Sequence, residues 1–178
     1  MTILFASDIH GSAGACRALL SRREAEGAQT LILLGDLLYH GPRNPVPSDY
    51  DPKAVAAMLN GVKERILCVR GNCDAEVDQM LLEFPALADY AMLWLDDHRA
   101  FLTHGHVFGP EHLPPLSPGD LLLSGHTHLP TNREKDGICL LNPGSVTFPK
   151  GGMPPTYLLY EDGRFSHRTL SGAEIKVE

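Results

Sequence analysis

Five short apolar runs recur along the chain, and each breaks off into glycine or polar residues. They are Ile3-Leu4-Phe5-Ala6, Leu31-Ile32-Leu33-Leu34, Ile66-Leu67-Cys68-Val69, Phe101-Leu102-Thr103 and Leu121-Leu122-Leu123. Runs this short and apolar at consecutive positions read as buried strands. Between the first two, Ser12 can cap a helix carrying Cys16, Leu19 and Leu20 at helical spacing, and Gly27 closes it, giving a β-α-β unit. Pro42, Pro45, Pro47 and Pro52 then interrupt regular structure, so residues 37–52 are expected as a long surface loop. A second helix, using Ala54, Val55, Ala57, Met58 and Val62, leads into the third strand, and a third helix is expected around Val77 to Leu82.

The second half is less helical. Ala91 to Leu95 and Arg99 to Thr103 flank Asp96-Asp97-His98, and Thr156 to Tyr160 and Arg164 to Leu170 flank a turn containing Asp162-Gly163; both read as hairpins. The expected class is therefore α/β with mixed strands, two sheets packed as a sandwich with helices outside. At 178 residues the chain matches one ordinary domain, expected over 1–178. The balance of 15 basic against 22 acidic residues, −7 in all, argues against coating a nucleic-acid polymer. No apolar run approaches the roughly 20 residues needed to cross a bilayer, and the N-terminus lacks a basic segment followed by a long apolar one, so a cytoplasmic location is expected. Cys16, Cys68, Cys73 and Cys139 form no CxxC pair and are expected as reduced thiols; Cys73 stands apart, in a glycine-led polar turn.

Metal-capable side chains fall just past the carboxyl ends of the strands. Asp8 and His10 follow the first, Asp36 the second, Asn72 the third, His104 the fourth, and His126 and His128 the fifth. In open α/β sheets that rim is where ligands bind. The donors are oxygen and imidazole, which suits manganese, iron, zinc, nickel or cobalt. Seven ligands exceed what one catalytic ion with an open position can use, whereas two ions sharing a carboxylate account for them.

The ordered set Asp8-Ile9-His10, Gly35-Asp36, Gly71-Asn72-Cys73-Asp74, His104-Gly105-His106 and Gly125-His126-Thr127-His128 resembles the calcineurin-like metallophosphoesterases, whose pattern is DxH, GD, GN(H/C)(D/E), a histidine and GHxH. The resemblance spans essentially the whole chain, with further support from residues 35–45, 69–74 and 142–145, and is greatest to the family's small bacterial phosphodiesterases. It implies a four-layer α/β-β/α sandwich and two divalent ions, manganese foremost. One ion would take Asp8, His10, Asp36 and His128, the other Asp36, Asn72, His104 and His126, with Asp36 bridging. It also implies hydrolysis of small phosphodiesters by in-line attack of a hydroxide held between the ions, with Asp36, Asn72, Cys73 and His104 as the catalytic set. Two ions bring +4 and two carboxylates remove two, which leaves a positive pocket on a negative body.

Many relatives place histidine at position 73, and a thiol is a poorer hydrogen-bond donor than imidazolium. Weak help for poor alkoxide leaving groups is expected, alongside better turnover of aryl diesters. A phosphomonoesterase on the same fold, a non-catalytic interaction module, and a thiol hydrolase pairing Cys73 with His104 or His126 are the alternatives. Whether His106, His40, Arg43 or Arg70 assists substrate stays open, as does formation of a homo-oligomer. His98, His112 and His167 are assigned no role. Residues 142–145 are expected to shape a turn beneath the rim.

Overall fold

Consecutive apolar positions in a strand must bury both of its faces, and the first sheet does this with helices on one side and a second sheet on the other. The computed structural model describes residues 1–177; the last residue of the expected 1–178 domain lies outside them. The chain runs β1 (Ile3–Ala6), α1 (Ala13–Ala25), β2 (Thr30–Leu33), α2 (Pro52–Asn60), β3 (Ile66–Cys68), α3 (Glu76–Gln79), β4 (Tyr90–Leu95) and β5 (His98–Thr103). It continues through β6 (Leu121–Leu123), β7 (Thr131–Lys135), β8 (Ile138–Asn142), β9 (Thr156–Glu161), β10 (Arg164–Thr169) and β11 (Glu174–Ile175).

Six strands form one sheet in the order β11-β10-β9-β1-β2-β3, and five form the other in the order β4-β5-β6-β8-β7. Each sheet contains three adjacent parallel strands, β1, β2, β3 in the first and β5, β6, β8 in the second, bordered by antiparallel partners. Alternation along β1 divides the core: Leu4 and Ala6 face Cys16 and Leu19 of α1 and Val55 and Leu59 of α2, while Ile3 and Phe5 face Leu102, Leu123 and Leu141 of the other sheet.

The two mixed sheets and the helical layer stand as expected. Over the outer face of the second sheet, Phe101, Leu122, Ile138 and Leu140 are covered by Phe108, Leu113 and Leu116 from an irregular segment. Pro110, Pro114, Pro115 and Pro118 keep that segment from forming a helix.

Local chemistry explains where elements begin. Ser12 Oγ accepts from Ala15 N–H at 3.1 Å, capping α1 as expected. Pro52, expected to close the loop, instead opens α2 as its first residue, because the ring's fixed φ suits a first turn that needs no N–H. The Asp51 side chain caps that helix through Ala54 N–H. The preceding loop is not wholly at the surface, since Leu37 and Leu38 are buried in the helical core. The third helix covers one turn, Glu76–Gln79, rather than reaching Leu82; Leu82 turns inward to the core instead. The hairpin β7-β8 had no expectation attached to it, because β7 is polar along its length and exposed; its marker is Asp136-Gly137, both with positive φ, the same turn chemistry as Asp162-Gly163. All four cysteines are free thiols. Among the described residues no helix is long and apolar enough to cross a membrane.

Leu102 is buried between the sheets, whereas Trp94 is exposed on β4. Leu102→Ala is expected to destabilise the protein by about 2–5 kcal/mol through loss of apolar contact and a residual cavity. Trp94→Ser is expected to change stability by no more than about 0.5 kcal/mol. Denaturant unfolding of both variants checks the division of the core.

Candidate metal centre

A metal centre needs lone pairs aimed at one point by parts of the chain that cannot move apart. The parallel strands provide those parts. Asp8 and His10 leave β1, Asp36 follows β2 and Asn72 follows β3, while His104 leaves β5 and His126 and His128 follow β6. Both sets of strand ends open on one cavity of about 420 Å³, whose walls include His10, Asp36, Asn72, Cys73, His126 and His128. Eight non-glycine residues have positive φ among the described residues; Asp8, His10, Asp36, His126 and His128 are five of them, and the other three sit in hairpin turns. The left-handed conformation costs roughly 1 kcal/mol or more per residue, so its concentration here marks a site that packing holds under strain.

The histidines are oriented through the main chain. The Nδ1–H of His10 donates to the Tyr39 carbonyl at 2.9 Å, that of His104 to Leu34 at 2.6 Å, and that of His128 to Phe148 at 2.7 Å. In each neutral ring the opposite nitrogen, Nε2, is then a bare acceptor aimed into the site. His10 Nε2 lies 3.4 Å from His128 Nε2 and 3.5 Å from Asp8 Oδ1, and His128 Nε2 lies 3.1 Å from the same oxygen. Asp8 Oδ1 is buried without a hydrogen-bond donor. On the other side His104 Nε2 lies 3.1 Å from Asn72 Oδ1, 3.2 Å from His126 Nδ1 and 3.4 Å from Asp36 Oδ2.

Asp36 stands between the two groups. Its Oδ1 accepts from the Cys73 N–H at 2.8 Å, while Oδ2 faces both His10, at 3.6 Å, and His104. Lone pairs packed this closely repel unless positive charge lies among them, so the donor set fits two cations sharing Asp36. Protons are the alternative source of that charge, and the titrations reflect it. Burial pulls His104 down, but Asp36 in contact and the Asp8 charge outweigh it and lift the imidazole to about 9. His10 is raised for similar reasons, against its own burial, by Asp8 and the Tyr39 carbonyl. Burial pushes both Asp8 and Asp36 up, yet neighbouring histidines hold each below the ordinary carboxylate range.

The strand ends approach so closely that glycine is required. A Cβ on Gly71 would overlap the Asp36 carboxylate, and one on Gly125 would overlap the Ser7 hydroxyl. Asp74 ties the β2 and β3 loops together: its carboxylate accepts from Asp36 N–H at 2.7 Å, Leu37 N–H at 2.8 Å and Gly71 N–H at 2.8 Å. The sixth parallel strand, β8, sends no candidate ligand; it supplies props. Asn142 Nδ2 donates to the Gly125 carbonyl at 2.7 Å and Ser145 Oγ to the Asp8 carbonyl at 3.1 Å, as the turn expected at residues 142–145 requires.

All seven expected ligands meet at this centre. Cys73 sits on the cavity wall, its Sγ accepting from Asn72 Nδ2 at 3.2 Å. Burial, with Asp36 nearby, pushes the thiol up to about 12, which keeps it protonated and disfavours a thiolate nucleophile. His106 packs against His104 and His126, with ring centroids 5.4 and 6.3 Å away. Arg43 lines the cavity; His40 instead packs between Tyr39 and Tyr50, and Arg70 is engaged by Asp89 at 2.6 Å. His167 is buried, its Nε2–H donating to the Asn142 carbonyl beneath the site. Lys150 on the cavity wall, the Asp74 anchor and the carbonyls of Leu34, Tyr39 and Phe148 were not anticipated from sequence. Only Asp74 carried a signal, as an acidic residue two positions after a candidate ligand.

Comparison with known proteins extends these observations over the whole chain. The profile of the calcineurin-like phosphoesterase superfamily domain matches residues 1–162. The chain is similar to Phosphodiesterase YfcE of Escherichia coli strain K12, with 49% identity over 175 residues, 98% of this chain and 95% of that protein. A solved structure of Yfce, a phosphoesterase from E. coli, superposes with a TM-score of 0.96 at 48% identity, covering 99% of this chain and 97% of that one. Vps29 of Entamoeba histolytica, complexed with zinc, shares the fold alone, with a TM-score of 0.59 at 21% identity and coverage of 98% and 96%. From the strained strand ends to its near-complete likeness to YfcE, the chain belongs to the calcineurin-like phosphoesterase superfamily.

Proposed function

We propose that this protein, with residues 1–178 acting as one domain, is a cytoplasmic hydrolase that cleaves small phosphodiesters at a centre of two divalent cations, manganese foremost. The observation that carries the reading is the convergence of seven candidate donors, from both sheets, around the shared Asp36 carboxylate. Such cations would neutralise charge at phosphorus and would lower the pKa of coordinated water toward neutrality. The chain's own residues do the positioning. Main-chain carbonyls hold three imidazoles with Nε2 forward, Cys73 N–H fixes one Asp36 oxygen so that the other faces both groups, and Asn72 offers its carbonyl oxygen. Arg43 and Lys150 stand on the cavity wall and enter no ion pair among the described residues, which leaves both cations available to an anionic substrate. The cavity, about 420 Å³, has room for a phosphoryl group with both of its ester arms, and the relative at 49% identity is itself named a phosphodiesterase.

Chelation followed by separate return of manganese, zinc, iron, nickel, cobalt and magnesium tests this directly, with paired mono- and diesters as substrates. Manganese is expected to restore diester cleavage above monoester cleavage. The reverse preference selects a phosphomonoesterase, and no turnover with any ion selects an interaction module. Asp36→Asn is expected to lower the restored rate by at least about a hundredfold, since even residues that only support metal ligands cost 10- to 100-fold. Activity that survives chelation but vanishes in Cys73→Ser would select the thiol mechanism.

Two further outcomes concern individual groups. Because the folded His104 value, about 9, exceeds the ordinary 6.5, its protonation stabilises metal-free protein fully below pH 6.5, and that stability is lost as pH rises through about 9. Thermal unfolding of chelated protein is therefore expected to show falling stability between those limits, while manganese-loaded protein is spared; equal slopes in both forms would count against the assignment. Cys73→His is expected to accelerate diesters with poor alkoxide leaving groups by roughly tenfold or more, relative to aryl diesters. An unchanged leaving-group dependence would reduce Cys73 to a space-filling role.

A further inference from the structure

Behind Cys73 lies a second hollow, of about 380 Å³, walled by Tyr39, Tyr50, Val77 and Leu81. Cys73 is the one residue that lines both this cleft and the cavity of the metal centre. The two spaces differ sharply in chemistry. Imidazoles, the Asp36 carboxylate, Arg43 and Lys150 surround the first, whereas hydrocarbon and phenol dominate the second. Its single acidic residue, Asp78, is occupied by the Ala75 N–H at 2.8 Å. The side chains around the cleft are large, apolar and uncovered: Tyr39 is 41% exposed, Val77 62% and Leu81 43%. Isolated exposed apolar residues need no explanation, but a group of them walling one cleft beside a reaction centre does. The wall is also firm, since the His40 ring packs on Tyr39 and Tyr50 with centroids 4.7 and 5.4 Å apart.

From this shared wall we infer that the cleft receives one ester arm of the substrate, and that this arm is a flat apolar or aromatic group. The inference rests on the phosphodiesterase reading and narrows it. An anionic phosphoryl group held at the metal centre places its substituents at the cavity wall, and Cys73 on that wall also borders the apolar cleft. A small, weakly polar thiol on the shared wall leaves room for hydrocarbon beside it, where an imidazole would be bulkier and more strongly hydrated. Two tyrosine rings in the wall favour a planar group through edge or face contact.

Binding, not turnover, tests the idea. Calorimetry on the manganese-loaded full chain would compare methyl, phenyl and naphthyl phosphate, which share one headgroup and differ in the arm. Naphthyl phosphate is expected to bind about tenfold more tightly than methyl phosphate, from apolar area removed from water. Leu81→Asp and Val77→Asp alter exposed positions and are expected to erase that difference while leaving methyl phosphate affinity unchanged. Equal affinities for the three compounds in the parent protein, or an aryl preference that persists in both variants, would overturn the inference. Failure of the phosphodiesterase reading would appear separately, as absence of diester turnover with every metal, without altering the binding series.

Discussion

Lone pairs facing one another across about 3 Å, with no proton between them, are unfavourable unless a positive charge joins them. The rest of this structure is arranged around that condition. Each of three histidines gives its Nδ1–H to a main-chain carbonyl, so the bare nitrogen cannot turn away to find water. Asp8 keeps an oxygen buried and undonated, and Asp36 has one oxygen fixed by an N–H and the other shared between two groups of histidines. A fold that orders acceptors against acceptors is ordered for a cation, and the left-handed backbone at five of the residues concerned is the local cost of holding them there.

That arrangement follows from where parallel strands end. The apolar side chains of β1, β2, β5 and β6 are committed to core on both faces, so chemistry at this edge is confined to the first residues beyond the strands. Parallel neighbours end on the same edge, which brings those residues together without any long-range plan in the sequence. The helices and the irregular segment over the second sheet bury the outer faces and leave that edge open.

The site was more legible than parts of the scaffold. Ligands announce themselves by type and position: Asp8-Ile9-His10 and Gly125-His126-Thr127-His128 are side-chain signals, and their spacing after apolar runs is visible in one dimension. The groups that aim them are not. The carbonyls of Leu34, Tyr39 and Phe148 could belong to any residue, and Lys150 lies in a loop whose approach to the cavity depends on tertiary packing. Among the elements, β7 was unreadable because an exposed edge strand of Thr131-Asn132-Arg133-Glu134-Lys135 has no apolar face to reveal it. Charge on such an edge guards against pairing with other chains, so the property that hid the strand is one that protects it. Pro52 misled for the opposite reason: a residue that breaks helices internally is well suited to starting one.

Asp8, His10, Asp36 and Asn72 all belong to the first sheet, while His104, His126 and His128 belong to the second, so each of the two donor groups draws from both sides of the sandwich. A cation seated in either group would act as a rivet through the seam. Neither sheet alone carries all the donors of either group, so a complete donor set exists only where the two halves are docked. Conversely, any slippage of one half against the other would pull the two donor groups apart together with the apolar core packed between the sheets.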